Sequence, residues 1–175
     1  MGGPKAALVV DGRTLLAHHL ERLYALGCAP ILVVLHEDVG PPEALPPSVR
    51  ILAARTPSQA ASLALAVAAL PASAEAVLVT PVDLLPPRLD TLRTLVAALG
   101  EGHLAVSPTF GARGGHPVIV RRALLTPYAR GDAPPLRALL DEAGARRLRV
   151  PVDDERVCGD LDRPSDLADA RALRT

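Results

Sequence analysis

Aromatic residues are almost missing from this chain: one Phe, two Tyr and no Trp make up 2% of 175 residues, and Met occurs once. With 49% hydrophobic residues, the core must therefore be built from Ala, Val, Leu and Ile. Charge of one sign is missing as well, since 19 basic and 19 acidic side chains cancel. That removes the electrostatic footprint expected of a protein that binds nucleic acid or an anionic membrane surface, and leaves small molecules or other proteins as partners. Two isolated cysteines, Cys28 and Cys158, are too few for a disulfide framework, and no Cys-x-x-Cys pair is present to hold zinc. Reduced thiols in a cytoplasm are the simplest reading. Asp, Arg, Glu or Pro interrupts every apolar run before it reaches the roughly 20 residues that span a bilayer. No apolar signal-peptide core follows Met1.

The most informative stretch is Ala76-Val77-Leu78-Val79-Thr80-Pro81-Val82-Asp83, an apolar, β-branched run that ends in a carboxylate and then in Leu84-Leu85-Pro86-Pro87. Such a run, bounded by breakers, reads as a strand buried on both faces. In open α/β sheets ligands bind outside the carboxyl ends of the strands, which makes Asp83 a candidate metal or substrate ligand. A solvated turn or helix cap is the other reading of Asp83.

Around this stretch the periodicity alternates. Ile31 to Leu35, Val49 to Leu52, Leu104 to Val106, Val118 to Val120 and Leu148 to Val150 read as strands, whereas Leu16, Leu20 and Leu23 recur at helical spacing before Gly27. Thr56-Pro57-Ser58-Gln59 reads as a helix start, with Thr56 as cap and Gln59 completing a capping box. Further helices are expected near 92–99, near 136–143 and from about Pro164 to Leu173. Strands alternating with helices predict one α/β domain over residues 1–175, with a mostly parallel sheet.

Several motifs fail on context. Gly111-Ala112-Arg113-Gly114-Gly115-His116 is glycine-rich, but Pro117-Val118-Ile119-Val120 continues as a strand, whereas a dinucleotide fingerprint opens a helix. Gly2-Gly3-Pro4-Lys5 lacks the ending of a P-loop, although glycines beside a lysine can present backbone donors and one cation to a phosphate. His18 and His19 are helical neighbours that cannot face one metal together, and they read as surface or boundary residues. No Gly-x-Ser-x-Gly elbow or Ser/His/Asp order supports a nucleophilic hydrolase. Asp160 and Asp162, two apart in extended chain, share a face and could join Asp83 on a divalent cation; Asp162 equally suits a cap for the helix at Pro164.

Taken in order, Met-Gly-Gly-Pro-Lys at 1–5, Val-Asp-Gly-Arg-Thr-Leu-Leu at 10–16, Pro-Val-Asp at 81–83, Gly-Ala-Arg-Gly-Gly-His-Pro at 111–117 and Asp-Leu-Asp-Arg-Pro-Ser-Asp at 160–166 resemble the molybdenum cofactor nucleotidyltransferase family, in its cytidylyltransferase-like branch. The resemblance spans essentially the whole chain. It implies a three-layer Rossmann-like nucleotidyltransferase fold that binds a nucleoside triphosphate, CTP being favoured, with Mg²⁺ as cofactor and a phosphorylated molybdopterin-type or similar small molecule as acceptor.

By position, Lys5 resembles the family's phosphate-contacting lysine, with Gly2 and Gly3 beside it, and Ser62 resembles a serine near the nucleotide. Asp83 resembles the metal-binding acid and Asp160 the second acid. The segment with Arg113, Gly115 and His116 resembles the loop facing the acceptor. A noncatalytic protein on the same fold and a sugar-nucleotide pyrophosphorylase are the other readings. Relative to the family, the chain begins at the Met of this motif, without the strand and Leu-Ala-Ala-Gly-type loop that precede it. The expectation is that neighbouring strands carry unpaired edges, that stability is marginal and that CTP binds poorly.

Overall fold

The computed structural model describes residues 5–39 and 45–159. Gly2, Gly3, Asp160, Asp162 and the expected helix at 164–173 lie outside the described residues. The chain enters through a 3₁₀ turn, Lys5–Ala7, and a two-residue hairpin of β1 (Val9–Val10) and β2 (Arg13–Thr14). Asp11 and Gly12 form its turn with φ of 53° and 77°, the pair of positive values that a tight hairpin with Asp-Gly at its centre requires.

Helix α1 (Leu15–Ala25) follows, capped by Thr14, whose hydroxyl accepts from the Ala17 N–H at 3.0 Å. It closes at Gly27, φ 83°, where the Gly27 and Cys28 amides return to the carbonyls of Tyr24 and Leu23 at 2.9 Å each. Strand β3 (Ile31–Leu35) pairs in parallel with β4 (Val49–Ala53).

Helix α2 (Gln59–Ala68) starts later than the sequence suggests. Ser58 is the cap, accepting from the Ala61 N–H at 3.1 Å. Thr56 instead shares a 2.6 Å hydrogen bond with Ser62, because Pro57 lies before the cap and not in the first turn. Strand β5 is Ala76–Val79, helix α3 Leu89–Ala97, strand β6 Ala105–Phe110, β7 Arg113–Gly114 and β8 Val118–Arg121. Two short helices, α4 (Thr126–Ala129) and α5 (Leu136–Glu142), lead to β9 (Arg147–Pro151) and a 3₁₀ turn at Glu155–Cys158.

Together these elements form an α/β fold of three layers. Val77, Val79, Ala105, Val118 and Val120 face α2, α4 and α5, against Val67, Leu125, Tyr128, Leu139 and Leu140. The alternate residues Leu78, Val106, Ile119, Leu148 and Val150 face the other way, against Leu95 of α3. Period-two alternation on the strands thus divides one apolar set between two helical layers.

The expected parallel character holds for β3 with β4 and for β6 with β9, but β8 runs antiparallel to both β5 and β6. The reason is local. Only residues 111–117 separate β6 from β8, and so short a connection permits a hairpin but no parallel crossover.

Among the described residues no backbone ladder joins β3 to β5, and each pairs on one edge only. Helix α2 packs on both groups, so they are coupled by side chains and not by hydrogen bonds. Consistent with its open edge, β5 has half-buried side chains at Val77, Leu78 and Val79 where full burial is expected from sequence.

Leu95 is fully buried beneath the sheet, while Val96 is 47% exposed. Leu95→Ala should destabilise the protein by about 2–5 kcal/mol and Val96→Ala by less than about 0.5 kcal/mol. Urea unfolding of the two variants checks this; equal midpoints would contradict the layer assignment.

Candidate active site

Asp83 lies where the sequence places it, on the turn beyond the carboxyl end of β5, and it is half-buried. Two long-range contacts pin that turn. The Leu84 carbonyl accepts from His19 Nε2 at 2.9 Å, and the Leu85 N–H donates to the Gly159 carbonyl at 3.2 Å. Gly159 directly precedes Asp160, so the second candidate acid follows a residue that is hydrogen-bonded beside the Asp83 turn.

The candidate acceptor loop meets the same segment. The His116 N–H donates to the Val157 carbonyl at 2.8 Å, and the Arg113 guanidinium donates to the Cys158 carbonyl at 3.0 Å. Cys158 Sγ lies 3.7 Å from the Arg113 carbonyl and 3.6 Å from that of Gly114. Gly115 packs directly on Val157, and a Cβ there would overlap the Val157 carbonyl. Absence of a side chain at this position is what lets the loop and the 155–158 turn touch. Arg113, Gly115 and His116 are thus gathered on one short segment, which continues through Gly159 to the Asp83 turn.

Lys5 opens the first 3₁₀ turn, next to the β1–β2 hairpin. Ser62 stands apart from these contacts. It lies in the first turn of α2, where its hydroxyl bonds Thr56 at 2.6 Å and the Ser58 carbonyl at 3.2 Å.

Two residues important to this arrangement escape sequence reasoning. Asp154 is buried, and its carboxylate accepts from the Arg88 N–H at 2.7 Å and the Thr91 hydroxyl at 2.8 Å. It caps α3 from 63 residues away, which Arg88, with no side-chain cap of its own, cannot do. The segment that leads to Gly159 is thereby anchored. The signal in sequence is only an acid in a run of acids.

His19 is the other. Read as a surface or boundary residue, it is in fact 5% exposed. A carbonyl can only accept, so Nε2 of His19 carries the proton. Burial drives its pKa from 6.5 down to about 4, against the opposing influence of the Leu84 hydrogen bond and of Asp83. His18, half-buried, reaches the Val10 carbonyl at 2.8 Å.

Among the described residues no three His, Cys, Asp or Glu side chains gather closely enough to hold a metal by themselves. A hydrated divalent cation that keeps several waters needs only one or two carboxylates together with substrate phosphates. Asp83, an acid on a turn pinned from two sides, is a donor of that kind. No helix among the described residues is long and apolar enough to cross a membrane.

The family described as MobA-like NTP transferase domain matches residues 1–155. Among solved structures, 2-C-methyl-D-erythritol 4-phosphate cytidylyltransferase from Thermus thermophilus is similar at 28% identity and a TM-score of 0.73, with 98% of this chain and 94% of that chain covered. A complex of Rv0371C with manganese from Mycobacterium tuberculosis H37Rv shares the fold at 20% identity and a TM-score of 0.79, covering 98% and 93%. A nucleotidyl transferase from Methanothermobacter thermautotroptrophicus does so at 20% identity and 0.73, covering 96% and 83%. No curated protein matches the chain.

Two outcomes test the site's construction. Gly115→Ala should force the loop off Val157, costing about 1–3 kcal/mol, which lowers the thermal midpoint by roughly 2–10 °C in a chain of this size. An unchanged midpoint would show that the contact is slack.

For His19 the folded pKa lies below the unfolded one, so the unfolded state binds the extra proton between about pH 6.5 and 4. Its contribution to stability is fully present above pH 6.5 and is lost as pH falls through that window, by roughly 3 kcal/mol. Urea midpoints of wild type should fall more steeply over that window than those of His19→Gln. Parallel curves would contradict the burial of a neutral imidazole.

Proposed function

The chain belongs to the MobA-like NTP transferase family, and on that basis we propose a Mg²⁺-dependent cytidylyltransferase that joins CMP from CTP to a phosphorylated molybdopterin-type cofactor or similar small acceptor. That it is a nucleotidyltransferase of the MobA/IspD type follows from the family and from its cytidylyltransferase neighbours. The choice of CTP, the metal and the acceptor are our reading, as is a single domain over residues 1–175 working in the cytoplasm.

One observation carries the reading: the Asp83 turn and the Arg113–His116 loop are both bonded to residues 157–159, which brings the candidate metal acid and the candidate acceptor loop to one place. An acceptor phosphate oxygen attacks the α-phosphorus of the nucleotide. A new P–O bond forms, the bond to the oxygen bridging the α- and β-phosphates breaks, and pyrophosphate leaves. Because the attacking oxygen is already anionic, the reaction asks for alignment and charge neutralisation and not for a general base.

In this reading Lys5 contacts the phosphates with Gly2 and Gly3, and Ser62 lies toward the nucleotide. Asp83 and Asp160 hold the metal, while Arg113, Gly115 and His116 face the acceptor. When bound, Mg²⁺ neutralises phosphate charge.

The similarity to the Thermus thermophilus 2-C-methyl-D-erythritol 4-phosphate cytidylyltransferase favours 2-C-methyl-D-erythritol 4-phosphate as a second acceptor. Both acceptors carry a phosphate, so the same chemistry serves either.

The test is pyrophosphate release with each of the four nucleoside triphosphates and Mg²⁺, against a molybdopterin-type cofactor, 2-C-methyl-D-erythritol 4-phosphate and a hexose 1-phosphate. CTP with one of the first two should react, and Asp83→Asn should lower kcat/KM by on the order of 10²-fold. Turnover of the hexose 1-phosphate alone would make the protein a sugar-nucleotide pyrophosphorylase, and an undiminished Asp83→Asn variant would remove Asp83 from the site.

A further inference from the structure

Helix α1 carries two adjacent imidazoles that the transfer reaction does not use. Successive residues on an α-helix point about 100° apart, so His18 and His19 reach in different directions. His18 Nε2 meets the carbonyl of Val10, in the hairpin that follows the turn opened by Lys5. His19 Nε2 meets the carbonyl of Leu84, the residue after Asp83. Both carbonyl-bearing residues are buried, each 6% exposed. The same helix is also tied to the first segment by the Leu15 N–H, which donates to the Leu8 carbonyl at 2.7 Å.

We propose that His18 and His19 form a tether that sets the position of the Lys5-bearing segment relative to the Asp83 turn, with His19 as a positioning residue for Asp83. The inference rests on the reading of Lys5 and Asp83 given above. Neither imidazole touches the reacting atoms. His19 fixes a peptide plane next to Asp83, His18 fixes one in the hairpin that follows Lys5, and both fix it to one rigid helix. A Leu84 carbonyl deprived of its donor would be a buried acceptor without a partner, and the turn would shift to find one. For groups that orient a metal ligand, the usual effect of removal is about 10- to 100-fold in metal affinity or activity.

The test uses the full chain and four variants, His19→Leu, His19→Gln, His19→Asn and His18→Leu. Leu fills space without a donor, Gln places an N–H near the position of Nε2, and Asn is too short to do so. Amide hydrogen exchange without nucleotide is read first. His19→Leu should speed exchange across residues 83–85 by about tenfold and leave 8–10 unchanged, and His18→Leu should do the reverse.

Manganese affinity in the presence of CTP is read second. It should fall about tenfold in His19→Leu and His19→Asn and return to within about threefold of wild type in His19→Gln, with kcat following and KM for CTP moving less. If His19→Leu does not fold, His19→Gln against His19→Asn decides alone, by the same two readouts.

Exchange at 83–85 that is unchanged, or Gln and Asn variants that behave alike, would overturn the tether. A loss of thermal midpoint with manganese affinity and kcat at wild-type values would reduce His19 to a packing residue and overturn it too. If the wild type binds no manganese with CTP and transfers nothing, the functional reading fails, and the exchange pattern still decides whether the helix holds the two segments.

Discussion

The turn that ends β5 has little structure of its own. Beyond Val79 the chain reads Thr80-Pro81-Val82-Asp83, and its three prolines at 81, 86 and 87 contribute no backbone donors. Among the contacts that hold it are two to its own backbone from opposite ends of the sequence, the His19 imidazole to the Leu84 carbonyl and the Gly159 carbonyl to the Leu85 N–H. Those contacts tie the turn to the loop and segment that carry Arg113, Gly115 and His116. Gly159 continues from a 3₁₀ turn against which Arg113, Gly115 and His116 are packed, and that turn follows Asp154, the buried cap of α3. A carboxylate proposed to meet a hydrated cation and a triphosphate has to be presented by backbone that does not move, and here the rigidity is imported.

The hierarchy of strength in these contacts is instructive. The exposed ion pairs, such as Arg13 with Glu21 and Arg55 with Glu37, contribute little in water. The hydrogen bonds of His19, Asp154 and the Val157 carbonyl instead have a buried partner, and their removal leaves an unsatisfied group in a place water reaches poorly. Asp154 is the clearest case, with two donors converging on one carboxylate oxygen.

Much of the framework was legible because it follows from local chemistry. The strand at 76–79, its carboxyl-terminal acid, the helix closed at Gly27 and the strands at 31–35 and 118–120 all announce themselves through periodicity and breakers. The reading failed where the deciding partner is distant. A histidine beside another histidine on a helix gives no sign that one of them is buried against a carbonyl 65 residues on. Asp154 looks no different from Asp153 until α3 docks on it. The cap of α2 was displaced from Thr56 to Ser58 because both residue types can cap, and only the placement of Pro57 before the helix separates them. The reversal of β8 was visible in principle, since the seven residues between β6 and β8 are too few for a parallel crossover.

The central claim is that the Asp83 turn, the 111–117 loop and the segment at 157–159 form one metal and acceptor site, close to the bound nucleotide. Paramagnetic broadening of backbone amides by Mn²⁺ with CTP tests it most directly. The account predicts that signals of residues 83–85, 113–116 and 157–159 broaden together at low Mn²⁺, while those of α5 at 136–142 stay sharp. Broadening confined to another part of the chain, or to only one of the three segments, would contradict it.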